Sequence, residues 1–197
     1  MPTSNRTGLE SNRAAGRVVG YHRGVRASGV SLWLVPEPEA RKRLADTIAD
    51  LARRLGTPPM EPHVTLIGRL AQAEAEVVAA AGRLASATAP LQLRPFRVGQ
   101  RDEYFKCLFY EIAADAALID LHMRARLALG RSEDALFFPH LSLVYGQLQS
   151  GAKQPLVAPL APRRGERWRV DELQVLRTEG EVPEWRLLAG FPLSRRD

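Results

Sequence analysis

Two short stretches of the sequence repeat one chemical pattern. PHVTLIGRL places His63 two positions before Thr65, and PHLSLVYGQL places His140 two positions before Ser142. In a β-strand, side chains at positions i and i+2 point to the same face, so each histidine would stand beside a hydroxyl. One such strand could simply hold a half-buried histidine with a hydrogen-bond partner. Two copies with matching neighbours favour two halves of one site.

Two imidazoles and two hydroxyls are suited to a phosphodiester. The ordinary pKa of an imidazole is about 6.5, so one can take a proton near neutral pH while the other gives one. The hydroxyls can donate hydrogen bonds to the non-bridging phosphate oxygens. One imidazole would activate water and the other would protonate the leaving ribose oxygen. The sequence leaves open which histidine does which.

The same order of elements precedes each histidine strand. Hydrophobic patterns and turn residues predict strand 30–35, a helix ending at 55, strand 63–70, helix 72–86, strands 91–100 and 104–112, helix 115–129, strand 137–148, and two final strands in 167–193. Strand, helix and histidine strand thus occur twice, and the two histidines lie 77 positions apart. Hairpin-linked strands with outer helices predict the α+β class. The segment SGAKQPLVAPLAPRR, after the second histidine strand, is predicted to be a loop, and His122 is predicted to lie at the surface of its helix.

Length and composition indicate one soluble globular domain. The chain has 197 residues, of which 45% are hydrophobic and 25% charged, enough for a substantial core. Residues 1–28 are rich in Arg, Gly and Ser and are predicted to form a disordered or loosely ordered basic tail, which includes His22. Residues 29–197 are predicted to form a single domain. The net charge of +6 favours an anionic ligand.

Several classes of function are disfavoured by what the sequence lacks. A single cysteine, Cys107, excludes an internal disulfide and is predicted to be a small buried core residue. No run approaches the roughly 18 apolar residues of a membrane helix, and no secretion signal is visible, so a cytoplasmic location is expected. The glycine-rich nucleotide-binding motifs and the HExxH zinc motif are absent. We therefore expect no metal and no cofactor.

PHVTLIG and PHLSLVYG resemble the paired His-x-Thr/Ser signature of the 2H phosphoesterase superfamily. The chain is similar to its cyclic phosphodiesterase branch, which opens 2′,3′-cyclic nucleotides and ADP-ribose 1″,2″-cyclic phosphate; SLWLVPEP, DEYFKCLFYEI and WRLLAGFPL resemble further stretches of that branch. The resemblance covers about Val30 to Leu193. It implies a bilobal fold with two pseudo-twofold-related lobes of mainly antiparallel sheet, outer helices and a central cleft.

The resemblance also implies roles for individual residues. His63 and His140 would be catalytic, and Thr65 and Ser142 would bind phosphate. Tyr145 matches a tyrosine that lies near the phosphate or the base in this branch. Its odd spacing from Ser142 would put it on the opposite strand face, so a bend or bulge is required.

Tyr104 or Phe105 could stack on a nucleobase. Because neighbours on a strand face opposite ways, only one of them should do so, and we favour Phe105. Lys106 is expected to be solvated.

These inferences predict metal-independent hydrolysis of a small 2′,3′-cyclic phosphate to a phosphomonoester, usually the 2′ isomer in relatives, by a monomeric protein. One alternative is the processing of RNA or tRNA fragments that end in a cyclic phosphate. It would need a basic surface, and Arg94, Arg97 and Arg101 cannot all share one strand face. A non-enzymatic alternative is a module that binds phospho-ligands or RNA. Two acid–base groups argue against it, because binding alone does not require them.

Overall fold

The computed structural model describes residues 25–131 and 136–194. Within these residues the chain forms β1 (Val30–Pro36), α1 (Pro38–Leu55), β2 (Val64–Leu70), α2 (Glu74–Ser86), β3 (Leu91–Leu93), β4 (Pro95–Gln100), β5 (Leu108–Ile112), α3 (Ala116–Ala128), β6 (His140–Val144), α4 (Ser150–Val157), β7 (Trp168–Arg177) and β8 (Arg186–Pro192). Two 3₁₀ turns span Tyr104–Lys106 and Val182–Glu184. Most of the predicted tail, residues 1–24 with His22, lies outside the described residues. No helix of the described ranges is long and apolar enough to cross a membrane.

The strands form one antiparallel sheet that divides into two lobes. Their order is β3-β7-β1-β2-β6-β5-β4. In addition, β8 pairs with residues 172–177 of β7, next to the part of β7 that pairs with β3. The first lobe contains β1, β2, β3, β7 and β8, and the second contains β4, β5 and β6. The lobes meet where β2 and β6 pair at Val64 and Leu141. The two strands that follow a Pro-His pair are therefore neighbours at the centre of the sheet.

A repeated unit explains this central position. β1, α1 and β2 in the first lobe correspond to β5, α3 and β6 in the second, and each unit pairs its two strands antiparallel. The helices exchange partners: α1 contacts β6 of the other lobe, and α3 contacts β2. The predicted α+β class and bilobal, pseudo-twofold arrangement are confirmed.

Helix α1 illustrates how the sequence builds these units. Pro38 opens the helix, where its missing N–H is not needed, and Gly56 closes it at a left-handed φ of 66°. Its buried residues recur at helical spacing: Ala40, Leu44, Ile48, Leu51 and Ala52. Full burial of one such leucine or isoleucine contributes about 1.5–3 kcal/mol. The helix is thereby held under the sheet that carries the two histidines.

The predicted strand 91–100 is divided between the lobes. Leu91–Leu93 pairs with β7 of the first lobe, and Pro95–Gln100 pairs with β5 of the second. Pro95 lacks a backbone N–H and begins the second piece, a position that suits proline in a sheet. The chain therefore crosses from one lobe to the other at Arg94.

The predicted strand 104–112 begins four residues later than expected. Tyr104–Lys106 forms a 3₁₀ turn, in which the N–H of Lys106 donates to the carbonyl of Glu103 at 3.0 Å. Extended structure starts at Leu108. Tyr104 and Phe105 are therefore not strand neighbours that point to opposite faces, as the sequence had suggested.

The predicted loop after the second histidine strand contains a helix, α4. Pro155 lies inside it, yet tertiary contacts override the unfavourable proline. The buried Lys153 donates from Nζ to the carbonyl of Arg101 at 2.9 Å and to the carboxylate of Asp102 at 2.7 Å. These bonds tie α4 to the segment that precedes the 3₁₀ turn.

His122 was also placed wrongly from the sequence. It is buried, its Nδ1 lies 2.8 Å from the carbonyl oxygen of Leu66, and its ring stacks on Phe137. The buried face of α3 therefore includes His122, which the sequence pattern had placed at the surface.

Candidate functional site

The pairing of β2 with β6 brings the two His-x-hydroxyl patterns together. Antiparallel strands run in opposite directions, so pairing of Val64 with Leu141 puts His63 across from Ser142 and Thr65 across from His140. These four residues share one face, because Val64 and Leu141 point into the core on the other. The result is a four-cornered arrangement with an imidazole and a hydroxyl on each strand.

His63 is held in a defined orientation. Its Nδ1 lies 2.6 Å from the carbonyl oxygen of Glu61, which can only accept, so Nδ1 carries the hydrogen. In the neutral ring the free electron pair is therefore on Nε2. The indole of Trp33 stacks on the imidazole, with ring centroids 3.4 Å apart and planes 5° from parallel. Backbone and indole together fix which nitrogen faces the site.

Burial keeps His63 uncharged. Desolvation lowers the pKa of His63 from 6.5 to about 3; the carbonyl of Glu61 opposes the shift, and a positive charge on His140 adds to it. At neutral pH, His63 is therefore a neutral imidazole with Nε2 available as a proton acceptor.

His140 repeats this arrangement in a more open environment. Its Nδ1 lies 2.8 Å from the carbonyl oxygen of Phe138, again the residue two positions earlier. The ring is half-buried between the phenyl rings of Phe109 and Phe138, whose centroids lie 5.4 and 5.5 Å away. Burial lowers the pKa of His140; the Phe138 carbonyl opposes this effect, while the charges of Lys106 and Arg101 add to it.

The two hydroxyls differ in exposure. Ser142 is buried and donates to the carbonyl oxygen of Phe105 at 2.8 Å. Thr65 is half-buried and lies opposite Trp33 in the pairing of β1 with β2. A bound anion could recruit the Ser142 hydroxyl by rotation about a single torsion, whereas Thr65 already borders the open side of the strand pair.

Tyr145 reaches the same site because β6 ends at Val144. Past the strand end the alternation of faces no longer applies, and the Gly146 N–H donates to the carbonyl of Tyr104 at 2.9 Å. The Tyr145 hydroxyl lies 3.5 Å from Nε2 of His63 and within hydrogen-bonding reach of Ser142. Burial raises the pKa of Tyr145, so its hydroxyl stays protonated.

Five aromatic side chains meet beside His63, and we call them the aromatic cluster: Trp33, Tyr104, Phe105, Tyr145 and Trp185. The Tyr145 ring centroid lies 6.2 Å from that of Tyr104 and 5.2 Å from that of Phe105. Trp185 contacts Trp33, Phe105 and Tyr145 at 5.8, 6.0 and 6.0 Å. Both Tyr104 and Phe105 therefore belong to the cluster.

Sequence reasoning missed Trp33 and Trp185 as site residues. Trp33 carried a usable signal: it alternates with the core residues Leu32 and Leu34, so it must face away from the core of the first lobe. Trp185 carried no such sequence signal, because it directly follows the 3₁₀ turn Val182–Glu184 and contacts the site only through the tertiary fold.

Positive charge near His140 is partly compensated. Glu103 forms ion pairs with Lys106 at 2.8 Å and with Arg101 at 3.4 Å, so Lys106 is half-buried and paired rather than simply solvated. The Arg101 guanidinium also lies over the Phe138 ring, 4.5 Å from its centroid. Across residues 25–131 and 136–194, no three His, Cys, Asp or Glu side chains are grouped so that they could hold a metal ion.

Known proteins of the same fold are found among solved structures. E. coli LigT in its apo form is 18% identical, with a TM-score of 0.58 over 85% of this chain and 98% of LigT. TT0787 of Thermus thermophilus is 21% identical, with a TM-score of 0.60 over 88% of this chain and 100% of TT0787. At these identities the similarity supports the fold alone. A search of curated proteins gives no match.

A sequence profile extends the comparison from fold to family. The profile of the cyclic phosphodiesterase-like protein family matches residues 28–193 and so spans both His-x-hydroxyl strands. The resemblance predicted from the sequence is confirmed. Because the match covers most of the chain, this protein belongs to the cyclic phosphodiesterase-like family.

Proposed function

We propose that this protein hydrolyses 2′,3′-cyclic nucleotides, or related small cyclic phosphates, to a phosphomonoester without a metal ion. One observation carries the proposal: each histidine faces the hydroxyl residue of the other strand across the junction of β2 and β6. Family membership supports phosphoesterase activity in general. LigT of E. coli has been crystallised with 3′-AMP and with phosphate, ligands of the proposed chemical class.

The proposed reaction uses the four residues as two acid–base groups and two phosphate donors. Thr65 and Ser142 donate hydrogen bonds to the non-bridging oxygens and hold phosphorus between the strands. One imidazole takes a proton from water as the water oxygen bonds to phosphorus. The other imidazole gives a proton to the ribose oxygen as its bond to phosphorus breaks. Cleavage of the bond to the 3′ oxygen yields the 2′-phosphate, which is the product we expect.

The different surroundings of the histidines support an assignment of roles. His63 is neutral, its unprotonated Nε2 faces the site beside the Tyr145 hydroxyl, and its pKa lies far below that of an ordinary histidine. His140 is half-exposed and is the easier of the two to protonate. We therefore assign the base to His63 and the acid to His140.

A small substrate fits the charge distribution better than a long RNA. Arg94 is paired with Asp115 at 3.1 Å, and Arg97 with Glu111 at 2.8 Å. Arg101 is paired with Glu103. These arginines, which a basic RNA-binding surface would need, are thus occupied by carboxylates of the same lobe.

The test is hydrolysis of the four 2′,3′-cyclic mononucleotides in excess EDTA by the wild type, His63→Ala and His140→Ala, with identification of the product isomers. We expect activity that survives EDTA and falls at least about 100-fold in each variant, because each removes one proton-transfer group. A folded wild type that binds these nucleotides without turnover would instead identify a binding module.

A substrate whose leaving oxygen is replaced by sulfur tests the assignment of roles. A thiolate leaves without protonation, so this substrate should restore much of the rate to His140→Ala and none to His63→Ala. Restoration of the rate in His63→Ala alone would reverse the two roles.

A further inference from the structure

Trp185 connects the two lobes at the aromatic cluster. It belongs to the first lobe, between the 3₁₀ turn Val182–Glu184 and β8. Its ring nevertheless contacts Phe105 and Tyr145, which come from the second lobe, as well as Trp33. The residue therefore lies where the lobes approach each other, next to the side chains around His63.

The backbone around Trp185 is firmly held. Ala27 and Gly180 exchange two backbone hydrogen bonds, at 2.8 and 3.1 Å. The N–H of Glu181 donates to the Glu184 carboxylate at 2.6 Å, and the N–H of Glu184 donates to the Glu181 carbonyl at 2.8 Å. The Trp185 indole N–H donates to the carbonyl of Gly180 at 3.3 Å. This bond satisfies the polar edge of the indole, so the ring offers its apolar surface to the cluster.

The ring opposite Trp185 is that of Phe105. Their centroids are 6.0 Å apart and their planes are tilted by 34°. A planar base between two rings requires about 7 Å, since atoms in contact are separated by about 3.5 Å on each side. A base between them therefore requires that the rings separate by about 1 Å and turn more nearly parallel. Both side chains are half-buried, so neither is locked in the core.

We propose that Trp185 stacks on the nucleobase of the substrate, with Phe105 on the opposite face of the base. This proposal rests on the proposed function and specifies its substrate class: a cyclic phosphate that carries a base. Stacking needs only a flat ring, so all four bases are accepted, with purines preferred for their larger area. Trp185 is then a substrate-binding residue that acts on the base and not on the phosphate.

The test compares substrates with and without a base. The proteins are the wild type, Trp185→Ala, Trp185→Phe and the control Leu187→Ala, which alters an exposed apolar residue of the same hairpin outside the cluster. The substrates are 2′,3′-cyclic AMP and methyl riboside 2,3-cyclic phosphate. A stacked base is worth about 1–3 kcal/mol, equivalent to about 5- to 150-fold. We expect Trp185→Ala to lose at least about tenfold in kcat/KM on 2′,3′-cyclic AMP and less than about twofold on the base-free substrate.

The controls separate stacking from support of the fold. Trp185→Phe should retain most activity because it keeps a flat ring, and Leu187→Ala should match the wild type on both substrates. An equal loss on both substrates in Trp185→Ala, or no loss on either, would overturn the proposal. If the wild type hydrolyses neither, the proposed function fails separately. In that case binding decides the role of Trp185. Trp185→Ala should lose at least about tenfold in affinity for 2′-AMP and less than about twofold for methyl riboside 2-phosphate.

Discussion

The two histidines have different electrostatic environments although their hydrogen bonds match. Each donates from Nδ1 to the carbonyl two residues earlier, but His63 lies under Trp33 and His140 lies near Arg101 and Lys106. Both pKa values are lowered, so at neutral pH the free protein holds two neutral imidazoles. The proposed reaction needs one of them charged.

This difference predicts an acidic optimum for kcat/KM. As the pH falls below 6.5, His140 is protonated first, because the pKa of His63 is only about 3. The form with charged His140 and neutral His63 then becomes populated, and kcat/KM should rise. It should fall again only as the pH approaches 3 and His63 is protonated. The measurement is kcat/KM between pH 3.5 and 8 on 2′,3′-cyclic AMP, with circular dichroism at each pH as a control for unfolding. An optimum above pH 7 would contradict the assigned order of protonation.

At the scale of elements, α4 supports the segment that carries two members of the aromatic cluster. Lys153 bonds to the backbone of Arg101 and to Asp102, directly before the turn Tyr104–Lys106. Lys153 is buried while the Asp102 side chain is 83% exposed, so water screens the carboxylate end of the ion pair. The bond to the Arg101 carbonyl is the structurally important one, since it fixes the backbone that leads into the turn.

Lys153→Met should therefore affect substrate binding more than stability. Methionine keeps most of the buried volume but cannot donate a hydrogen bond, so the turn loses its anchor while the core stays filled. We expect KM for 2′,3′-cyclic AMP to rise about three- to tenfold, with kcat within twofold and unfolding free energy within about 1.5 kcal/mol of wild type. Steady-state kinetics and urea unfolding measure the two effects. Ala152→Met, at an exposed position of the same helix, is the control. An unchanged KM would show that α4 does not anchor the turn.

Elements with strong local signals were predictable. The apolar spacing of α1, its Pro38 and Gly56, and the two Pro-His strands all specify structure within a few residues. The division of 91–100 between lobes, the turn at Tyr104 and helix α4 were not predictable, because each depends on a partner distant in sequence. The site residues differ in the same way. His63, Thr65, His140 and Ser142 were identifiable because they form a repeated local pattern. Trp185 was not, because it contacts the site only after folding.

At the scale of the whole molecule, charge is unevenly distributed along the chain. Residues 1–24 contain four arginines against one glutamate, and so carry half of the net charge of +6. Around the candidate site, arginines and Lys106 are largely paired with carboxylates. The side chains around the site therefore attract a phosphate group only at short range.

Hydrolysis of a cyclic mononucleotide should depend only weakly on salt. A single phosphate carries no condensed layer of counterions, so kcat/KM should fall by less than about threefold between 50 and 200 mM NaCl. A variant that lacks residues 1–24 should behave in the same way on this substrate. RNA that ends in a cyclic phosphate is the comparison: a much steeper loss on RNA that disappears in the shortened variant would indicate that the basic segment contacts RNA. A steep loss on the mononucleotide itself would contradict the prediction.

The two lobes differ in which parts of the chain form them. The second lobe uses one continuous stretch, Pro95–Val144, whereas β1 of the first lobe pairs with β7, joining Val30 to Arg177. During synthesis the second lobe can therefore assemble early, while the pairing of β1 with β7 must wait for the last quarter of the chain to leave the ribosome. All four side chains of the proposed reaction are made before residue 146. A growing chain therefore contains His63, Thr65, His140 and Ser142 well before it contains β7. That strand pairs with β1 and so supports the first lobe, which carries His63 and Thr65.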